Sequence, residues 1–401
     1  MPYLRARYLQ ENIAKVATFS PLIGLLGHRQ VGKTTLLEQV SNEYLTLDDQ
    51  DTMSLIAGNP KQFLAGHHSN KTAIDESQLL PALFPALKER VRKNKKPGQF
   101  ILSGSVRFTS RKAIRESLTG RIINLELLPM TISEIKQLPC PTILKKMLDS
   151  NLEQMASQVE TESAMRKTVR EQIEPYLERG GLPGVCFMRN EQLRTGKIKE
   201  QLLTILDRDL RMVFPTTLPY SQILLYVQEL AKNECAPLNY SLLRKTTGIS
   251  EVTQKKLIYA LEAVFILRTL PIQGDKKGFI CFFEDQGEQR YLSQETLDEA
   301  RAFEGLCYRN ARAQFFYDDI NSYSYSHFLT RGHSRIPFVV HSSNAILGFM
   351  PILEDLPTRS HLAQAGSLLK HYANAKIIFI TKNGKFNLID HRQLVIPAHI
   401  I

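Results

Sequence analysis

Two periods of apolar spacing alternate along this chain, and the switches between them mark its elements. Leu22 to Leu26 is an unbroken apolar run, the pattern of a strand buried on both faces. It opens into Gly27-His28-Arg29-Gln30-Val31-Gly32, after which Thr34 to Val40 takes helical spacing. Leu83, Phe84, Leu87 and Val91 repeat at helical spacing between Ala82 and Lys96, and Gln99 to Leu102 gives a further strand ending in Ser103, Gly104 and Ser105. Between Val40 and Ala82 lies Ala73-Ile74-Asp75-Glu76, a strand that ends in adjacent acids. The run before it, His67 to Thr72, is polar where a central parallel strand should be apolar, so this strand is short or the loop enters late. From Pro139 to Arg170 the chain is rich in Lys, Glu, Gln and Ser, which predicts a long solvated helix or a linker.

Residues 220–270 read as three helices, Tyr220 to Lys232, Asn239 to Thr247 and Glu251 to Leu267, with Ser250 capping the third. Strand-like runs follow at Phe279 to Phe283, Ser334 to Val340 and Ala345 to Ile352. A helix from His361 to Ala373 and a strand from Ala375 to Ile380 come next. Pro337 removes a ladder donor and predicts an edge strand.

Bulk properties narrow the class. A chain of 401 residues with 43% apolar and 23% charged residues has material for two or three packed domains. No apolar run reaches the length of a membrane span, and Met1 to Lys15 lacks the apolar segment of a signal peptide. Cys140, Cys186, Cys235, Cys281 and Cys307 are odd in number and widely spaced, which argues against a disulfide frame or zinc site and for a reducing, cytoplasmic setting. The net charge of +11 favours a polyanionic partner through non-specific attraction only.

The chemistry is concentrated near the N-terminus. Gly27 to Thr34 satisfies G-x-x-x-x-G-K-[ST] between a strand and a helix. In that setting the backbone N–H groups of Gly27, His28, Arg29, Gln30, Val31 and Gly32, with Lys33, Thr34 and Thr35, cradle phosphate oxygens at a helix N-terminus. Lys33 reaches the β- and γ-phosphates and the Thr34 hydroxyl takes a Mg²⁺ position. Asp75 would hold Mg²⁺, and Glu76 would act as general base or position the attacking water. Ser103 and Ser105 are candidates to contact the γ-phosphate or orient that water. Lys88, Arg90, Arg92, Lys93, Lys95 and Lys96 form the densest basic run, on the polar face and end of one helix.

At these residues the chain resembles bacterial and archaeal AAA-type ATPases whose core is followed by a domain of formerly unknown function. The resemblance runs through Arg29 to Leu37, Tyr44 to Asp48, Ile74 to Gln78, Leu83 to Lys88, Phe100 to Ser105, Glu116 to Arg121, Leu127 to Pro129 and Glu134. It implies an α/β fold, a P-loop AAA-like three-layer sandwich with a parallel sheet, binding ATP and Mg²⁺. By position, Arg121 is similar to an arginine that senses or stabilises the γ-phosphate, in cis or across a subunit interface. Tyr176 to Pro183 is similar to the family's Gly-Gly-x-Pro turn and Leu206 to Leu210 to its Arg-Asp block, read as lid or connector elements.

The expected organisation is an ATPase core over 1–138, a helical connector over 139–215, a winged-helix module over 216–292 and a small nuclease-like α/β domain over 293–401. Gln254, Lys255, Lys256 and Arg244 are the winged module's candidates for nucleic-acid contact. In the last domain the resemblance implies a strand bearing Asp and a later Glu-x-Lys. Here Pro337 stands at the first and Phe349, Met350 and Pro351 at the second, while Glu354 and Asp355 lack a partner lysine. A nuclease-like shape without nuclease activity is expected. The leading expectation is an ATPase whose cycle is coupled to a protein or DNA partner through the C-terminal modules, without membrane association; an oligomer is compatible with the sequence, which leaves the oligomeric state open. The alternative is a DNA-binding regulator switched by nucleotide with negligible hydrolysis. No N-K-x-D motif supports GTP, and adjacent acids favour water over a small molecule as phosphoryl acceptor.

Overall fold

A computed structural model describes residues 4–67, 71–108, 118, 120–294, 297–318 and 322–401. Its N-terminal sheet holds five parallel strands in the order β2-β3-β4-β1-β5. These are β1 (Leu22–Gly27), β2 (Glu43–Thr46), β3 (Thr72–Asp75), β4 (Phe100–Gly104) and β5 (Ile122–Leu127). The most apolar strand, β1, lies between β4 and β5 and is buried throughout, as a strand covered on both faces requires. Ile23 and Leu25 face one layer with helices Leu9–Val16 and Lys33–Val40. Leu22 and Leu26 face the other, with helices Gln50–Gly58, Pro60–Gly66 and Leu83–Lys93. The chain thus has an α/β P-loop fold, to which a second sheet is added. β3 has only four residues, all buried despite the polar residues before it. Of that run, residues 68–70 lie outside the described residues, as do Glu116, Ser117 and Thr119 of the Gly-Arg block.

The second sheet has eight strands in the order β12-β13-β11-β10-β9-β8-β6-β7. In chain order they are β6 (Leu267–Gln273), β7 (Phe279–Phe283), β8 (Ser324–Leu329), β9 (Arg335–His341), β10 (Ile346–Ile352), β11 (Ala375–Thr381), β12 (Asn387–Asp390) and β13 (Gln393–Pro397). Helix Arg359–His371 covers one face, and the long helix Glu299–Asp318 packs on the other. The β6–β7 hairpin, expected as a wing, is hydrogen-bonded into this sheet through β6 and β8. It follows helices Tyr220–Lys232, Tyr240–Thr247 and Glu251–Ala263, which share an apolar cluster with β1.

Two expectations are corrected here. The stretch from Pro139 to Arg170 is neither one long helix nor a linker. It folds into short helices, Ile143–Asp149, Ala156–Met165 and Lys167–Arg170, whose Ile143, Leu144, Met147, Val159 and Val169 are buried in the cluster shared with the second sheet. Apolar residues sparse in sequence are gathered onto one side. Pro337 lies on an interior strand, not an edge. Its lack of an N–H is tolerated because the β9–β10 register ends at Phe338 and the β8–β9 register shifts between Ser326 and Phe328. The Pro337 carbonyl meets the His327 ring at 3.0 Å.

Buried charges join the two sheets. Glu126 on β5 meets Arg107, Arg268 and Arg312, while Glu284 meets Arg268 at 3.0 Å and Arg312 at 2.7 Å. A second junction is the Gly180–Gly181 turn. Asp285 accepts N–H bonds from Gly181 (2.7 Å) and Leu182 (3.1 Å) and also from Gly287 and Glu288, capping helix Gln286–Leu292. Met130 N–H donates to the Gly181 carbonyl at 2.8 Å, and a Cβ on Gly181 would lie 2.1 Å from the Met130 oxygen. Since that neighbour is backbone, Gly181→Ala is expected to destabilise the chain by roughly 2 kcal/mol or more and to lower the thermal midpoint. An unchanged midpoint would show that the turn can yield.

Candidate active site

The phosphate-loop residues lie at the carboxyl edge of the first sheet, where parallel sheets place their ligands. Gly27, with φ of 154°, turns the chain out of β1, and a Cβ there would meet the Leu127 carbonyl at 2.5 Å. Gly32, with φ of 97° and ψ of 23°, starts helix Lys33–Val40 without a side-chain cap, leaving its first N–H groups for an anion. Lys33 is buried, and its ammonium donates to the Gly27 carbonyl at 3.0 Å and the His28 carbonyl at 2.9 Å. Burial lowers its pKa, against the charges of Glu76 and Asp75.

The acids stand opposite. The Thr34 hydroxyl donates to Asp75 at 2.6 Å and the Tyr44 hydroxyl to the same oxygen at 3.0 Å. Ser103 and the Glu76 N–H donate to the other oxygen. Burial, with Asp75 alongside, pushes the Tyr44 hydroxyl up to about 12, so it remains a donor. Glu76 adopts left-handed backbone, φ 51° and ψ 36°, a conformation costly for a side chain of this type and concentrated at functional sites. Burial raises its pKa, against the pull of Lys33, and the Gln78 amide donates to its carboxylate. Ser103, expected to contact the γ-phosphate or orient the attacking water, is fully buried with its hydroxyl on Asp75, so it holds the acid in place. Ser105 lies beside Gln78 at 3.4 Å.

Several residues that secure the loop carry no local motif. Buried Arg7 donates to the Val31 carbonyl at 2.8 Å, the Leu128 carbonyl at 2.6 Å and Glu134 at 3.1 Å. Glu134 also completes a capping box with Thr131, so one carboxylate fixes a helix start and the arginine behind the loop. The His28 ring turns into the protein, 2.9 Å from Glu288, whose other oxygen accepts from Gln201 at 2.8 Å. Arg29 reaches Asp209 at 3.4 Å, and Arg208 contacts the same carboxylate at 2.8 Å. Asp209 ends the π-helical turn Ile205–Asp209 that follows helix Glu191–Thr204, and such turns often mark functional positions. The charge of Arg208 is felt alongside Glu76 and Asp48. The sequence signal for this was the Arg-Asp block, read there as a connector. Gln30 has φ of 59° and approaches Gly184, and Thr35 is exposed beside a small recess with Leu4, Met130 and Pro183.

Two candidates fall elsewhere. Arg121 precedes β5, whose Ile122 pairs with Leu22 at the amino end of β1, so it stands at the opposite edge of the sheet from Gly27. Five residues of strand separate those edges, roughly 17 Å, so Arg121 does not reach its own chain's phosphate loop. It lines a surface hollow with Phe19, Arg92 and Lys95. Gln254, expected to touch nucleic acid, is fully buried and its amide joins two helices through the Tyr240 (3.1 Å) and Ile249 (2.8 Å) carbonyls. Arg244 and Lys256 are exposed, while Lys255 pairs with Glu251 at 2.7 Å.

Strand order, phosphate loop and paired acids define a P-loop nucleotide-binding protein of ATPase type. Comparisons agree over this region. Residues 20–136 match the family model of an AAA domain, and residues 170–275 match that of a domain of unknown function (DUF8612). An uncharacterized protein of Mycobacterium tuberculosis is 34% identical over 119 residues, 29% of this chain and 27% of that protein's length. The chain therefore spans about a quarter of that relative. Two solved structures resemble it loosely. A signal transduction ATPase with numerous domains and a tetratricopeptide repeat sensor, from Pyrococcus horikoshii, has a TM-score of 0.27 at 11% identity, covering 78% of this chain and 45% of that one. AMPPCP-bound DnaA from Aquifex aeolicus has 0.26 at 16%, covering 64% and 85%. Among the described residues no helix is long and apolar enough to cross a membrane, and all five cysteines are free.

The His28–Glu288 pair makes a pH prediction. Burial lowers the imidazole pKa, but Glu288, with Asp285 behind it, outweighs this and raises it overall. A raised folded value gives stability fully present below the unfolded value of about 6.5 and lost as pH rises through the folded value. The stability advantage of the native chain over His28→Gln should thus be greatest in mild acid and decline toward alkaline pH in urea unfolding. A difference constant with pH would show that the pair leaves the ring's pKa unshifted, and one that grows toward alkaline pH would show that the buried ring is neutral.

Proposed function

We propose that this protein is a Mg²⁺-dependent ATPase that couples ATP binding and hydrolysis to a protein or DNA partner met by its C-terminal half. The observation that supports this most strongly is the Thr34–Asp75 contact of 2.6 Å, with Lys33 and Glu76 adjoining it on one sheet edge. A hydroxyl and a carboxylate are the hard oxygen donors that Mg²⁺ prefers, so Thr34 and Asp75 are the pair to hold it. When bound, the ion would draw charge from the β- and γ-phosphate oxygens. Lys33 exchanges its two loop carbonyls for phosphate oxygens, and the loop N–H groups from Gly27 to Thr35 complete the cradle. Glu76, made more basic by burial, accepts a proton from water or orients it for attack on the γ-phosphate. Arg29 and Arg208, held by Asp209, add positive charge in cis, whereas Arg121 serves a neighbouring copy in an oligomer.

The loop's contacts with Glu288, Gln201 and Asp209 supply a route by which nucleotide state reaches the C-terminal half. Exposed Arg244 and Lys256, on two neighbouring helices, supply cationic groups there suited to nucleic acid. One observation favours a second reading, a nucleotide-switched regulator with negligible hydrolysis. The Gln78 amide occupies the Glu76 carboxylate that would handle water.

Lys33→Ala should abolish ATP binding. Glu76→Gln should keep binding and slow turnover by about 10²–10⁴-fold, the usual range for losing a general base. Equal turnover in Glu76→Gln would remove Glu76 from the mechanism. A large rise in hydrolysis on Gln78→Ala would favour the regulator reading over constitutive turnover. Arg121→Ala should lose turnover yet regain part of it when mixed with Lys33→Ala protein, each supplying what the other lacks. No regain at any mixing ratio would exclude action in trans.

A further inference from the structure

Lined by none of the phosphate-loop residues, a cleft of about 650 Å³ opens beyond the second sheet. Strands β10, β11 and β13 run parallel and end in register, with Ile352 beside Thr381 and Thr381 beside Pro397. The space outside the carboxyl ends of such strands is where open α/β sheets take ligands. The loop leaving β11 forms one wall, the end of the chain after β13 the floor, and helices Ala156–Met165 and Lys167–Arg170 the opposite wall.

The lining is sorted by chemistry. Lys167 and Arg170, three residues apart, stand on one wall, and Lys385 comes from the other. Among the described residues none of the three forms an ion pair, although the Arg170 guanidinium donates to Asn383 across the cleft at 3.2 Å. Three cations against the single lining carboxylate, Glu160, leave two positive charges. A phosphate monoester carries about −1.5 to −2 at neutral pH and matches that balance, which a single carboxylate does not. At the floor His399 is only 8% exposed, with Nε2 2.8 Å from the Ser163 hydroxyl. Its Nδ1 has no hydrogen-bond partner among the described residues. Burial and the Arg170 charge lower its pKa, so a neutral polar floor lies beneath a cationic rim. Phe386 and Pro397 add an apolar side. The volume is within the range of about 300–1,000 Å³ typical of small-molecule sites.

The geometry points to a binding site for an organic phosphate monoester of mononucleotide size. Its phosphate lies among Lys167, Arg170 and Lys385, and its flat apolar body rests against Phe386 and Pro397. This site is independent of the phosphate loop.

AMP, adenosine and inorganic phosphate are suitable probes, titrated by calorimetry into the full chain and into its Lys33→Ala form. AMP should bind both forms equally. Arg170→Gln and Lys385→Gln, at exposed positions, should each weaken AMP at least roughly tenfold, as expected for losing a charge-assisted hydrogen bond, without changing the thermal midpoint. Adenosine and inorganic phosphate should each bind more weakly than AMP, and Phe386→Ala should weaken AMP but not phosphate. The ring ¹⁵N resonances of His399 should move on adding AMP, a readout that does not rely on any variant. The proposal is overturned if AMP does not bind at millimolar concentration, if Lys33→Ala abolishes its binding, or if both Gln variants bind it normally. Phosphate binding as tightly as AMP would overturn the assignment of the ligand's body.

Discussion

Charges withdrawn from water must find partners within the fold, and in this protein nearly every such pairing joins segments distant in sequence. Arg7 meets Glu134, Glu126 meets Arg268 and Arg312, Glu234 meets Arg309, and His28 meets Glu288. Removing one partner would strand a buried charge, so each pair restricts how its segments can sit. The two sheets are tied together through Glu126 and Glu284 in this way. The phosphate loop is likewise held from behind, by Arg7 on one side and Glu288 on the other.

That support explains how a short glycine-containing loop keeps its form. Its apolar residue, Val31, is buried in the core while its carbonyl takes the Arg7 guanidinium. His28 directs its ring away from the loop to the helix after β7. The acids opposite are arranged with similar economy. Asp75 is fixed by Thr34, Tyr44 and Ser103, whereas Glu76 is set apart by left-handed backbone and partial burial. Adjacent carboxylates therefore acquire different environments, one saturated with donors and the other made more basic.

The loop, the strand before it, the helix after it and the acid pair were legible because each depends on local chemistry. A glycine turn, an apolar run and two acids at a strand end keep their meaning without tertiary context. The short β3 was legible too, from the polar residues ahead of it. Arg121 could not be placed from sequence, because which edge of a sheet a residue occupies depends on strand direction and register. Gln254 was misread for a related reason: a polar side chain at an apparently exposed helical position was turned inward to bridge two carbonyls. Pro337 entered an interior strand because a register shift in its neighbour removed the need for its missing donor. From Pro139 to Arg170 composition concealed a buried stripe of well-separated apolar residues. Arg7, Gln201 and Glu288 carried no signal, since their partners are far along the chain, while Asp209 lay in the Arg-Asp block and was read only as a connector.

The hairpin of β6 and β7 has a consequence for where the chain can be divided. The matched stretch 170–275 stops between its two strands, so that stretch by itself would hold β6 without either neighbour, β7 or β8. An unpaired interior strand is a template for association with other chains. The stretch matched by sequence similarity thus ends short of a closed piece of sheet. A fragment cut at that boundary would bare both edges of β6, and only one that continues through Pro397 keeps every strand of that sheet paired.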